Sequence, residues 1–319
     1  MNTPARQVYC IFGGHALRYA RTCLQSMLDN SLDPLHLTVI TDGPEDVKLI
    51  KEAFRVYKER GHVSVFSRRD ADERAVAYYK GLDSVAWFRT GHPCWLKITD
   101  PPLFSEPNHE MILVDPDVYF PNRFRFEQTP ARGILLMRQK PNCLFPPNSV
   151  RATFRAGYAM ADHTDIGVAQ LVEPLSGHWL DELVRRVGRD NLPTWSMHIE
   201  SIVWAAWAIH AGGGYLDQKV WKCWHNAHWK RMALRLGMPG WKAVASEQFE
   251  SLKCLHATGP AKDMLMMLLG RDERPITGGR VEGTYPPDGY VRYPRWRFEA
   301  ARMVKGPLIG LGRIVARLK

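Results

Sequence analysis

Residues 111–120 read Met-Ile-Leu-Val-Asp-Pro-Asp-Val-Tyr-Phe, an apolar run that ends in two carboxylates, and this stretch decides the reading of the rest of the chain. Four consecutive apolar residues predict a buried strand, and the strand delivers Asp115 and Asp117 at its carboxyl end. Ligands of open α/β sheets bind at that edge, where paired carboxylates suit a hard divalent cation. The spacing alone is weak, because eighteen aspartates in 319 residues produce about one Asp-x-Asp by chance. A second copy, Asp70-Ala71-Asp72, lies in the polar run Ser67-Arg-Arg-Asp-Ala-Asp-Glu-Arg74 and reads as a solvated face. Asp115 and Asp117 differ in kind, since two like charges beside a buried strand are costly unless a cation neutralises them.

Moving outward, Val8–Phe12 is apolar and β-prone, Gly13 and Gly14 break it, and Leu17, Ala20, Leu24, Met27 and Leu28 then recur at helical spacing. Leu37–Thr41 predicts a second strand. Pro44 with Glu45 and Asp46 starts a helix expected to run to about Arg60. His62–Phe66 gives a third strand and Met111–Asp115 a fourth. Further strands are expected at Gly133–Met137, Asp165–Leu171, Tyr215–Asp217 and Lys253–Ala257, with helices near 178–187 and 198–210. Strands alternating with helices predict an α/β chain with a mostly parallel sheet flanked by helices. The Pro- and Gly-rich run Pro275–Pro294 places the domain boundary after residue 274, with a connector and tail over 275–319.

A composition of 45% hydrophobic and 24% charged residues suffices for a substantial core and excludes collagenous or disordered chains. The net charge of +10 is segregated. From Arg292 to Lys319 eight basic residues face the single acid Glu299, which leaves the body close to neutral. That distribution argues for an adhesive, membrane-seeking tail on an ordinary domain more than for a basic nucleic-acid-binding face. Six scattered cysteines without Cys-x-x-Cys spacing favour a reducing compartment, and no apolar run has signal-peptide or membrane-spanning length. A cytoplasmic protein, peripheral on the membrane, is expected.

The strongest motif is His256-Ala-Thr-Gly259-Pro-Ala-Lys262, for which composition predicts only about 0.04 chance occurrences. A neutral imidazole can complete the coordination of a manganese-like ion, glycine permits close backbone approach, and lysine offers a point charge to phosphate. Taken with the paired aspartates, this segment resembles glycosyltransferase family 8 and its GT-A-fold relatives. The intervening His163-Thr-Asp-Ile-Gly-Val168 is similar to the family's Asn-Ala-Gly-Val strand, with Asp165 in place of asparagine. His198-Ile-Glu-Ser-Ile202 and Tyr215-Leu-Asp217 are similar to the segments that follow it, in the same order.

The resemblance implies a GT-A-like, Rossmann-like domain over residues 1–274 with Mn²⁺ or Mg²⁺ on Asp115, Asp117 and His256. It also implies a nucleotide-sugar donor, UDP-hexose, whose diphosphate meets Gly259 and Lys262. Lys97 is a substitute there for an arginine that the family places upstream. Asp165 and Glu200 are candidate donor-sugar contacts. The implied reaction is hexosyl transfer with retention to a saccharide or lipid-linked saccharide acceptor, as in envelope-polysaccharide assembly. The alternatives are an inverting GT-A transferase, which needs a carboxylate base, and a non-catalytic basic nucleic-acid-binding protein. The segment Trp221–Lys230, with three tryptophans and one cysteine, reads as core packing or an aromatic platform for an acceptor sugar rather than a metal box.

Overall fold

A computed structural model of the chain describes residues 4–224, 228–271 and 278–303, with His228 and Arg231 described in backbone only. Its centre is an eight-stranded sheet in the spatial order Asp288–Gly289, Gly213–Tyr215, Ile134–Arg138, Thr164–Leu171, Met111–Val114, Arg6–Ile11, Leu35–Thr41, Val63–Ser67. Six strands point the same way, and Thr164–Leu171 and Asp288–Gly289 run against them. The central strands are largely apolar because helices cover both faces of the sheet. Leu17–Asn30 contributes Tyr19, Ala20, Cys23, Leu24 and Met27 to one layer. Ile199–Ala211, whose residues are buried from Ile199 through Ala208, fills the other.

The helix expected from Pro44 to about Arg60 is two pieces, Pro44–Ala53 and Arg55–Glu59. Phe54 interrupts it with φ −113° and ψ 21°, and its side chain is fully buried.

Direction within the sheet sets up everything at the site. Thr164–Leu171 is antiparallel to both neighbours, pairing Val168 with Val114 on one side and Ala169 with Leu136 on the other. Its first residues therefore lie at the same edge as the last residues of the parallel strands. Beside that edge a three-stranded sheet joins Trp221–Cys223, Cys254–His256 and Val118–Tyr119, and its register sets His256 opposite both Cys223 and Val118.

Within the connector expected after residue 274, the described residues 278–303 pair with the body. Arg280–Val281 pairs with Arg123–Phe124, Asp288–Gly289 forms the sheet edge, and Arg292–Tyr293 pairs with Met160–Ala161. Residues 295–303 are helical, with Phe298 buried near Phe154 and Glu299 ion-paired to Arg151 at 2.8 Å. Two-residue strands have no periodicity to detect, but their backbone pairing and these contacts tie the segment to the body. The remaining tail, residues 304–319, lies outside the described residues.

A buried ion pair ties this return to the body. Glu127 accepts from Lys253 Nζ at 2.6 Å and Trp221 Nε1 at 2.8 Å on one oxygen, and from the Tyr285 backbone N–H at 2.9 Å on the other. The described cysteines are all unpaired. Among the described residues no helix is long and apolar enough to cross a membrane.

Candidate metal centre and donor site

Backbone hydrogen bonds fix the two aspartates before their side chains meet anything. The Asp115 N–H donates to Gly167 O at 2.9 Å, and the Val118 N–H closes a turn onto Asp115 O at 3.1 Å. The Ala257 N–H donates to Asp117 O at 2.9 Å, tying the Asp-Pro-Asp turn to the strand that carries His256. Three segments distant in sequence thus converge on one edge of the sheet.

His256 Nε2 lies 3.2 Å from Asp117 Oδ1 and 3.6 Å from Asp115 Oδ2. One ligand atom from each of the three residues falls within 4.8 Å of the others. Ligand atoms at right angles around an ion with bonds of about 2.1–2.4 Å are about 3.0–3.4 Å apart, so this set fits a divalent cation. Two carboxylate oxygens and one imidazole suit Mn²⁺ or Mg²⁺ better than a soft metal.

On the far side of the ring, His256 Nδ1 donates to Asp165 Oδ2 at 2.7 Å. A carboxylate there holds the Nδ1 proton, so Nε2 is the nitrogen turned to Asp115 and Asp117. Gly167 makes room for this arrangement, because a β-carbon at that position would collide with Nδ1, Cγ and Cβ of His256. Asp165, expected beside the donor sugar, thus has one oxygen committed to His256. Cys223 groups with Asp165 and His256 as a second set of potential ligands. Reading Trp221–Lys230 as core packing or an aromatic platform leaves that proximity unanticipated.

Lys97, expected to meet the diphosphate, lies between two carboxylates. Its Nζ lies 2.8 Å from Asp115 Oδ1 and 2.8 Å from Glu200 Oε1, so both contacts are with carboxylates. The cause is burial, since two enclosed carboxylates require a counter-charge. Burial would lower the lysine's pKa, but Asp115 and Glu200 outweigh it and hold Lys97 well above the ordinary value. Burial pushes Asp115 up, against the pull of Lys97 and His256. It also drives Glu200 up to about 7, with Asp115 and Asp165 adding to the effect and Lys97 opposing it. For Asp117 burial is outweighed by His256, Lys262 and Lys97, and its carboxyl sits below the usual value.

Lys262 Nζ lies 3.8 Å from Asp117 Oδ2 and is partly exposed. Gly259, at φ +58°, makes the left-handed turn that leads into the helix Ala261–Leu269. The other Asp-x-Asp has a structural role. Asp70 completes a capping box with Ser67, and Asp72 pairs with Arg68 at 2.8 Å and Arg89 at 2.7 Å. Trp221 and Trp224 are buried, so they belong to the core and cannot form an acceptor platform, whereas Trp229 is exposed. Residues 225–227 of that segment lie outside the described residues.

No family model matches the chain, and no curated protein matches it in sequence. The architecture is the GT-A fold of glycosyltransferases. Mouse xyloside xylosyltransferase 1, solved in its apo form, is similar at a TM-score of 0.52 and 12% identity over 81% of this chain and 99% of that one. The galactosyltransferase LgtC, solved with donor and acceptor sugar analogues, is similar at a TM-score of 0.50 and 11% identity over 83% of this chain and 95% of that one. At such identities the likeness is one of fold.

Proposed function

We propose that this chain is a metal-dependent glycosyltransferase that moves a hexose from a nucleotide-diphosphate sugar, UDP-hexose in the first instance, to a saccharide or lipid-linked saccharide. The observation that carries the proposal is the convergence of Asp115, Asp117 and His256 at the carboxyl edge of a GT-A sheet. These three residues would hold Mn²⁺ or Mg²⁺. When bound, the ion supplies Lewis-acid compensation for the charge that develops on the departing nucleoside diphosphate.

The chain's own groups would do the rest. Lys262 and the backbone N–H groups that open the helix Ala261–Leu269 offer positive potential to the diphosphate, and Gly259 lets its oxygens approach the backbone. Glu200 and Asp165 are the proposed contacts for the donor sugar. Lys97 keeps Asp115 and Glu200 in place as their shared counter-ion. Retention of anomeric configuration is the proposed outcome, to be read from the anomeric proton of the product. The basic residues 304–319 would hold the protein at an anionic cytoplasmic membrane face, where a lipid-linked acceptor resides.

A thermal-shift screen of nucleotide sugars with and without Mn²⁺ tests the reading, because a donor that binds only the native state raises its melting temperature by mass action. Stabilisation by a UDP-sugar only when Mn²⁺ is present supports the proposal. No shift with any nucleotide sugar in either condition would sink it.

A further inference from the structure

The helix His228–Arg235 is turned opposite to an ordinary surface helix. Its lysine points inward: Lys230 is 6% exposed and ion-paired with the buried Glu247, whose other oxygen meets Lys222 at 2.6 Å. Its apolar side chains point outward, with Trp229 56% exposed, Met232 51% and Leu236, one residue past the last turn, 84%. Spacings of three and four put these three on one face.

Rotating the helix to bury Trp229 would draw Lys230 away from Glu247, and a buried carboxylate that loses a partner is strongly destabilising. The ion pair therefore locks the apolar face outward. Basic residues border that face. Arg235 and Lys242 are exposed, and no acidic residue occurs between 228 and 246. Met267 of the helix Ala261–Leu269 adds another exposed apolar side chain, and the two regions are joined where Met264 packs against Gly240.

We propose that the face formed by Trp229, Met232 and Leu236, bordered by Arg235 and Lys242, docks on an anionic phospholipid surface with its helix lying in the plane of the interface. Trp229 suits the headgroup level, where aromatic rings are enriched, and the cations answer lipid phosphate. Self-association through this helix would instead bring Arg235 and Lys242 towards their own copies with no acid between residues 228 and 246 to match them. This surface is separate from the metal centre, and its function does not depend on the proposed reaction.

The full chain and its Trp229→Ser, Met232→Ser, Leu236→Ser triple variant would be sedimented at low salt with vesicles of phosphatidylcholine alone and with phosphatidylglycerol added. The wild type should bind only the anionic vesicles, and the triple variant should bind them at least about tenfold more weakly. Arg235→Glu with Lys242→Glu, which keeps the apolar face, should also weaken binding. The exposed positions make loss of fold unexpected, and unchanged thermal unfolding would verify that. Equal binding by wild type and triple variant overturns the proposal, as does failure of the wild type to bind. A wild-type dimer that the triple substitution converts to monomer, with vesicle binding unaffected, would assign the face to a second copy instead.

Discussion

The imidazole of His256 occupies the space that a side chain at residue 167 would need, so the proposed metal centre depends on a glycine that contributes no ligand. The Gly167→Ala variant should tilt the ring away from Asp115 and Asp117. Outer-sphere support of this kind is worth about 10–100-fold in metal affinity, and overpacking costs about 1–3 kcal/mol of stability. Calorimetric titration with Mn²⁺ and UDP, beside urea unfolding, measures both. Wild-type affinity in a folded variant would show that the ring does not need this position.

Loss of a ligand should have a larger effect than loss of its support. Asp117→Ala and His256→Ala should each abolish Mn²⁺-dependent UDP binding, a drop of at least about 100-fold, while leaving the fold intact. The same titration reads the outcome. Unchanged affinity in both variants would remove the metal assignment.

Glu200 links stability to pH. Its carboxyl titrates at about 7 in the fold against 4.5 ordinarily, chiefly because burial penalises the charged form. Between those values the folded chain holds a proton that the unfolded chain has released, so rising pH favours unfolding. The contribution is complete below about pH 4.5 and lost above about pH 7. Removing this titration in Glu200→Gln should reduce the fall in stability between pH 5 and pH 8 by about 1–3 kcal/mol, measured by urea unfolding with chelator present. Matching pH profiles for the two proteins would contradict it.

Removing one partner of a buried ion pair exposes the fold's dependence on the other. Lys253→Met leaves Glu127 charged and enclosed, with only the Trp221 and Tyr285 N–H groups to satisfy it. A loss of about 3–5 kcal/mol is expected. Pairing the change with Glu127→Leu should recover part of that loss in urea unfolding, because no stranded charge remains. A double variant less stable than Lys253→Met would refute this explanation.

Truncation after Met303 removes residues 304–319 but spares Phe298 and the Arg151–Glu299 pair. Donor binding should survive, while affinity for anionic vesicles falls and becomes less salt-dependent. Vesicle sedimentation across a salt series tests this. A truncated chain that binds vesicles as the full chain does would exclude the tail from membrane attachment.

The two halves of the proposed metal centre were visible in the sequence for different reasons. Asp115 and Asp117 stood out because an apolar strand led into them, and His256 because its spacing to Gly259 and Lys262 is improbable by chance. Strand direction was not encoded in the apolar pattern, so nothing indicated that Thr164–Leu171 would run backwards and bring Asp165 behind His256. The placement of Lys97 between Asp115 and Glu200 likewise depends on burial, which spacing does not report. The helix His228–Arg235 could be recognised as amphipathic, but which face turned outward was decided by Glu247, seventeen residues beyond Lys230.

The late edge strand Asp288–Gly289 also bears on how the protein is made. Its partner Gly213–Tyr215 leaves the ribosome 73 residues before Asp288 does, and at about 5–20 residues per second the interval is roughly 4–15 s. Throughout that interval a nascent chain already holding most of its sheet presents an open backbone edge to whatever is nearby. Chaperone engagement during synthesis should therefore concentrate in the window between residues 215 and 288, making translation speed through that stretch a determinant of yield.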